Sequence, residues 1–318
     1  MDLIDAVRSG DIQSVREYLD RGANPNIRDN YGNTALIEAT YRDHTEIVRL
    51  LLDRGAYPNI RDNTGSTALI EASEEDHAEI IRLLLDRGAD PNIRGLNRDS
   101  YDDTALNIVS QRGNIEMVRL LLYRGADPNI QNDAGMTPLI WASRQGHIEI
   151  VRLLLDNDAD PNIRDEYGMT ALIYASYRGH TKIIELLLDN GADPNITDDE
   201  DDTALMIAER QGHNDIATLI RDHIRLQRRQ QDLAFMKSFN TRLGDNSVSI
   251  NLENDIIDKI MSYPRRYDVD IPRRIREEME NTRMAEYLHD LNLDQYGSGK
   301  RSSNRRKRKN YTRRRSFF

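Results

Sequence analysis

The sequence predicts an all-α solenoid, and three observations predict it. A 33-residue unit, read most cleanly from Thr137 to Met169, recurs along the first two thirds of the chain. The threonines that open the copies are Thr34, Thr67, Thr104, Thr137, Thr170 and Thr203, and Pro25, Pro58, Pro91, Pro128, Pro161 and Pro194 keep the same period. Both series break once, by four extra residues between Pro91 and Thr104. Self-similarity at this period is the signature of stacked supersecondary units that bury their apolar faces only against one another.

Each element of the unit has a local cause. Thr137 caps a helix through its hydroxyl, and Pro138 suits the first helical position because its missing N–H would have no partner there. This short helix ends near Gly146. His147 then opens a second helix, in which Ile148, Val151, Leu154 and Leu155 form an apolar stripe that a neighbour must cover. Gly22, Gly55, Gly88, Gly125 and Gly191 follow the second helix in the other copies and suit a left-handed helix end; Asp158 holds that place in the fifth. An extended Asp-Pro-Asn-Ile leads to a turn and the next threonine.

The order Thr-Pro-Leu, Gly-His, Ile-Val-Arg-Leu-Leu-Leu and Gly-Ala-Asp-Pro-Asn resembles the ankyrin repeat over residues 1 to 225, and implies helix-turn-helix repeats with extended fingers. Only Thr137-Pro138-Leu139 keeps the family proline. The histidine that follows the threonine by three in the family is Ile37, Ile70, Asn107, Ile140, Ile173 or Met206 here, so its bond to the threonine is expected to be lost. Residues 1 to 28 read as a truncated capping repeat, with Asp2, Asp5, Arg8 and Asp11 as its polar outer face.

Composition narrows the function. The chain has no cysteine, which excludes disulfides and thiol chemistry and favours a reducing compartment. Asp2 and Asp5 stand where a signal peptide carries positive charge, and no stretch approaches the length of a membrane span. A soluble intracellular monomer is expected. The net charge of −10 conceals a partition: residues 1 to 222 hold 22 Lys/Arg against 41 Asp/Glu, whereas residues 297 to 318 hold 10 Lys/Arg and no acid. The two regions suit different partners.

No constellation of nucleophile, base and orienter stands out, so no enzyme and no cofactor are expected. His44, His77, His147, His180 and His213 share one repeat position and are expected to bond loop backbone between repeats rather than converge on a metal. Asp198, Glu200, Asp202 and Glu209 have part of a calcium-loop pattern, but Thr203 stands where that loop needs glycine. The acidic run Asp198–Asp202 reads as a solvated edge or a site for a basic partner.

The ankyrin resemblance implies ligand binding by the fingers and by outward residues of the first helices. The residues that vary there are Tyr41 and Arg42, Glu74 and Glu75, Gln111 and Arg112, Arg144, Tyr177 and Arg178, and Arg210. Tyrosine and arginine are enriched at binding hot spots. Trp141 and Tyr174 lie beside these positions as packing or recognition, and Tyr31, Tyr101 and Tyr167 lie in fingers. The longer finger, Arg94 to Asp103, is expected to extend Tyr101 and Asn97 toward a ligand, or to be a tolerated surface insertion.

Apolar spacing from Ile216 to Leu243 closes the array and begins a helical linker, assigned to 226–246. Residues 247–296 read as a small helical unit, with helices near 253–263 and 273–291. Leu252, Asp255, Ile256 and Ile260 are similar to the F-box opening, which implies docking on a ubiquitin-ligase adaptor; Glu253 replaces the motif's proline. An ordinary amphipathic helix is the other reading. Residues 297–318 cannot bury a core and are expected to be a disordered basic tail. Within it, Lys300, Arg301, Arg305, Arg306, Lys307, Arg308 and Lys309 resemble an import signal, and the same charges suit nucleic acid. Array first and F-box-like unit last is the order in ankyrin proteins of large DNA viruses, and the chain resembles those of amoeba-infecting giant viruses. That resemblance implies a host cytoplasm or nucleus as its location. The sequence therefore predicts a protein-binding module, either a substrate adaptor of a ubiquitin ligase or a plain scaffold or virion protein.

Overall fold

The computed structural model describes residues 2–242 apart from 98 and 100; for 232, 233 and 235–242 it describes backbone alone. By contact the chain divides into Met1–Asp232 and Leu233–Phe318, and of the second unit only the helix end at 233–242 is described. The F-box-like residues Leu252, Asp255, Ile256 and Ile260, the two helices assigned near them and the basic tail lie outside the described residues.

Among the described residues, helices come in pairs. They are α1 (Leu3–Arg8) with α2 (Ile12–Asp20), α3 (Ala35–Tyr41) with α4 (Thr45–Asp53), and α5 (Ala68–Glu74) with α6 (Ala78–Asp86). After the long finger, whose strands are β1 (Gly95–Leu96) and β2 (Asp102–Asp103), follow α7 (Ala105–Arg112) with α8 (Ile115–Tyr123) and α9 (Pro138–Gln145) with α10 (Ile148–Leu155). Next come α11 (Ala171–Arg178) with α12 (Thr181–Asp189), and α13 (Ala204–Gln211) with α14 (Asn214–Arg242). First helices pack on first helices of adjacent repeats and second on second, giving two rows with one continuous core. Helix α14 runs unbroken through the polar stretch Gln227–Gln231.

The threonine corner forms as its chemistry requires. Each of the six hydroxyls accepts the N–H three residues on, at 3.2 to 3.4 Å. The expected loss of the neighbouring side-chain bond holds in five copies and fails in the third. There Thr104 Oγ1 donates to Asn107 Oδ1 at 2.5 Å, and Asn107 Nδ2 reaches the Met136 carbonyl at 2.9 Å. The first helices approach closely because positions that face the next helix are small: Thr40, Ser73, Ser110, Ser143 and Ser176 are fully buried, as are Ala39, Ala72, Ala142, Ala175 and Ala208.

Two sequence expectations need correction. The stripe of α10 is Ile150, Val151 and Leu154, with Ile148 and Leu155 only half-buried, because the helix packs against its own partner as well as the next repeat. In the capping repeat Asp2, Asp5 and Asp11 are exposed as expected of its outer face, and they also cap: Asp2 and Asp5 form a reciprocal capping box on α1 and Asp11 caps α2. Arg8 turns into the array and pairs with Asp29 at 2.7 Å and Glu38 at 3.3 Å.

The histidine position has a steric reason. Gly113 and Gly146 end their helices with φ near +85°, and a Cβ there would lie within 3 Å of the His147 or His180 ring of the following repeat. His147 Nε2 also lies 3.1 Å from the Gln111 carbonyl oxygen, as expected of a ring tying repeats together, whereas Nε2 of His44 and of His77 is buried without a hydrogen-bond partner, so the expectation fails there.

Asp158 adopts φ +64°, while a Cβ at the equivalent Gly125 or Gly191 would meet nothing. Its strain is therefore backbone strain alone, and Asp158→Gly should raise stability by about 0.5–1 kcal/mol in chemical denaturation. Leu154 is fully buried, so Leu154→Ala should lower stability by about 2–5 kcal/mol. Exposed Arg82 serves as the control, its alanine variant staying within about 0.5 kcal/mol.

Candidate partner-binding surface

The fingers and the first-helix row share one side of each repeat. In five of the six fingers an Asp or Asn side chain accepts the N–H groups two and four residues on, as Asp29 holds Tyr31 and Asn33 and Asp165 holds Tyr167 and Met169. This turn sets the tyrosine at the tip. Tyr31 is 74% exposed and Tyr167 54%. Arg28 crosses to the Arg61 carbonyl at 2.8 Å and Arg61 to that of Arg94 at 2.6 Å, so successive fingers are tied side by side.

Between these fingers and α3 and α5 lies a cavity of about 500 Å³. Tyr31, Tyr41 and Leu96 supply its apolar wall, and Glu38, Asp62, Glu71 and Glu74 also line it. Arg42 pairs with Glu38 at 2.8 Å, Arg112 with Glu74 at 3.3 Å, and Glu75 is half-buried beside them. Glu38 and Glu71 were not singled out from the sequence. Their signal was the shared repeat position, four after the threonine, which Trp141 and Tyr174 also occupy.

Farther along the row the chemistry changes. Trp141 and Tyr174 are each only 3% exposed, so the structure places both in the core rather than on an open surface. The Tyr174 hydroxyl donates to Asp165 at 2.7 Å, and burial pushes its pKa up. Tyr101 meets Trp141 edge-on at 6.0 Å. The Arg144 guanidinium lies over both rings, 5.3 Å from Trp141 and 5.6 Å from Tyr174, and Arg178 lies 5.7 Å over Tyr177. Gln111 is half-buried, and Arg210 is paired with Asp202.

The long finger does not reach out as expected. Asn97 is buried and holds its own turn, accepting the Tyr101 N–H at 2.8 Å, and Tyr101 is half-buried. Asp103 is fully buried and accepts from Asn97 Nδ2 at 2.5 Å and Asn132 Nδ2 at 2.8 Å. In the acidic finger, Asp198 accepts the Glu200 and Asp202 N–H groups and Glu209 pairs with Arg221, so these carboxylates are used within the fold. Among the described residues no group of three or more His, Asp or Glu is placed to hold a metal ion, and no helix is long and apolar enough to cross a membrane.

The family described as ankyrin repeats (three copies) matches residues 3–95, 93–165 and 159–232. The chain belongs to the ankyrin repeat family. Among solved structures it is similar to the ankyrin repeat domain of Bcl-3, a member of the IkappaB protein family. The identity is 32% and the TM-score 0.60, with 70% of this chain and 98% of that one covered. No curated protein matches the chain. As an ankyrin-repeat array it is a protein–protein interaction module.

Burial of Asp103 pushes its pKa up to about 7, with the charges of Asp133, Glu74 and Asp99 acting in the same direction against the Asn132 bond. Unfolded, it titrates near 3.8. Between those values the folded chain keeps a proton that the unfolded chain has released, so this group's contribution to stability falls as pH rises from about 4 to about 7. Asp103→Asn should flatten that part of the profile. The loss of stability between about pH 5 and about pH 8 should be smaller in the variant by roughly 1 kcal/mol or more.

Proposed function

We propose that this chain is a non-catalytic binding module that holds a partner protein against its fingers and first-helix row. The observation supporting this is the cavity between fingers and α3 and α5, walled by exposed Tyr31, Tyr41 and Leu96 at positions that vary while the scaffold repeats. Aromatic side chains at the rim of a preformed recess are the usual anchors of protein recognition. Tyr31, Tyr41, Arg42, Glu74, Glu75, Tyr101, Gln111, Arg112, Arg144, Tyr167, Tyr177, Arg178 and Arg210 make up the surface, with Trp141 and Tyr174 supporting it from below.

Within that function, Leu252, Asp255, Ile256 and Ile260 support the reading of a substrate adaptor, in which the array holds a target and residues 252–263 recruit a ubiquitin ligase. The alternative is a scaffold or virion protein whose basic tail, Lys300 to Lys309, contacts nucleic acid or an import receptor. The viral reading rests on the order of array and F-box-like unit.

Affinity capture with the full chain tests both levels. Tyr41→Ala with Leu96→Ala should weaken a captured partner by roughly tenfold or more, while Tyr57→Ala with Tyr123→Ala, on exposed tyrosines outside the cavity, should not. A ligase subunit that co-purifies with the full chain and is lost on changing Leu252, Ile256 and Ile260 to alanine supports the adaptor. No such subunit, together with salt-dependent DNA binding that vanishes on deleting 297–318, selects the alternative.

A further inference from the structure

From α7 onward the positions seven and eight after each threonine hold four arginines, Arg112, Arg144, Arg178 and Arg210. Two of them are neutralised within the fold, Arg112 by Glu74 at 3.3 Å and Arg210 by Asp202. Helices α9 and α11, which carry the other two, contain no acid. Among the described residues no carboxylate lies within ion-pair distance of Arg144 or Arg178.

The repeat register makes these two a matched pair. Arg112, eight residues after Thr104, reaches Glu74, seven after Thr67, in the previous repeat. Arg178, eight after Thr170, and Arg144, seven after Thr137, stand in the same relation. Positions that make an internal ion pair at one junction therefore bring two cations together at another. Like charges on neighbouring positions oppose each other, and an anion set between them relieves the repulsion.

Arg144 is also held in place. It is half-buried, and its guanidinium lies over Trp141 of its own helix at 5.3 Å and Tyr174 of the next repeat at 5.6 Å. Arg178 is exposed and lies over Tyr177 at 5.7 Å. Stacking engages the π-face of a guanidinium and leaves its in-plane N–H donors, a fork that matches a planar carboxylate. Asp165 does not serve as that carboxylate, because it is buried and accepts the Tyr174 hydroxyl.

We infer that Arg144 and Arg178 receive an acidic segment of the partner protein, two Asp or Glu side chains on alternate residues of an extended stretch. This deepens, and rests on, the reading of the finger and first-helix surface as the binding surface. Alternate residues of extended chain point to one side about 7 Å apart, so one carboxylate reaches each guanidinium. The surrounding array restricts the segment to a short one. Residues 1 to 222 hold 41 Asp/Glu against 22 Lys/Arg, an excess that repels a long polyanion such as a nucleic-acid strand.

Trp141 is the chain's single tryptophan, so its fluorescence reports on this site. The test is selection of a displayed random library of peptides about 12 residues long, enough to run over several repeats, on the immobilised full chain. Enriched peptides are then titrated against the full chain, read by dye anisotropy and by Trp141 fluorescence. The expected result is enrichment of two acids on alternate residues, a change in Trp141 fluorescence on binding, and affinity that falls as salt rises. Arg144→Glu and Arg178→Glu should each weaken these peptides about tenfold or more. Both variants should stay folded by circular dichroism, because the reversed charge meets the remaining arginine as Glu74 meets Arg112; Arg178→Glu also keeps Arg144 on its rings. Enriched peptides that are weakened by Tyr41→Ala but lack acids, or that bind both charge-reversed variants unchanged, overturn this inference and leave the binding surface standing. A fluorescence response to inorganic phosphate or a phosphorylated peptide, with none to acidic peptides, overturns it too. If no peptide is enriched, or none is weakened by Tyr41→Ala or by either reversal, the binding-surface reading falls with it.

Discussion

At five successive junctions one asparagine ties a repeat to the next, and the spacing of the surface follows from that bond. Asn26 donates its amide to the Gly55 carbonyl and accepts the Tyr57 N–H; Asn59 does the same with Gly88 and Asp90. Asn92, Asn129 and Asn162 repeat the pattern with Gly125 and Asp127, Asp158 and Asp160, and Gly191 and Asp193. Both backbone groups belong to the next repeat's helix end and the turn after it. One planar side chain with a donor and an acceptor can serve both, whereas aspartate has no donor. Each net bond is worth only about 0.5–1.5 kcal/mol, yet the same pair recurs at five successive junctions and holds them alike. Asn195 turns back on Asp193 instead, because α14 runs on unbroken where the earlier repeats end their second helix.

Fixed junctions let the first helices pack closely through their alanine, serine and threonine faces, and close packing decides what neighbouring positions can do together. Residues four, seven and eight beyond the threonines meet across neighbouring repeats. Arg144 thereby spans Trp141 and Tyr174, and Arg112 of one repeat reaches Glu74 of the previous one. Variation at these positions alters the chemistry of the surface without altering the scaffold, because Leu36, Leu69, Leu106, Leu139 and Leu172 remain buried behind it.

The period, the threonine caps, the left-handed helix ends and the place of the insertion were legible because each is fixed by local chemistry at a constant spacing. The asparagine junction was visible as a recurring letter, but its role depends on two backbone groups some thirty residues away. Ile150 was missed because periodicity along one helix shows one stripe, while α10 is covered from two sides. Trp141 and Tyr174 carried both readings in sequence; their burial is set by the neighbouring Tyr101 and Arg144 and by the next repeat. Glu38 and Glu71 escaped notice because a carboxylate on a short helix looks like a solvated face until a finger stands over it.

The inserted finger shows how far the repeat tolerates change. Gly95 passes so close to the previous finger that a Cβ would lie 2.5 Å from the Gly65 carbonyl oxygen, and the short pairing of β1 with β2 follows at once. Asn97 takes over the turn made elsewhere by Asp29 or Asp165, and the four extra residues lengthen the stem of the finger as the pairs Gly95 with Asp103 and Leu96 with Asp102. Both ends of the loop are then anchored inward, through Asn97 to Asp103 and through Tyr101 to Trp141. On one side Leu96 walls the acidic cavity; on the other Tyr101 packs against the ring that carries Arg144. One segment of chain thus shapes both the cavity by α3 and α5 and the stacked rings under Arg144.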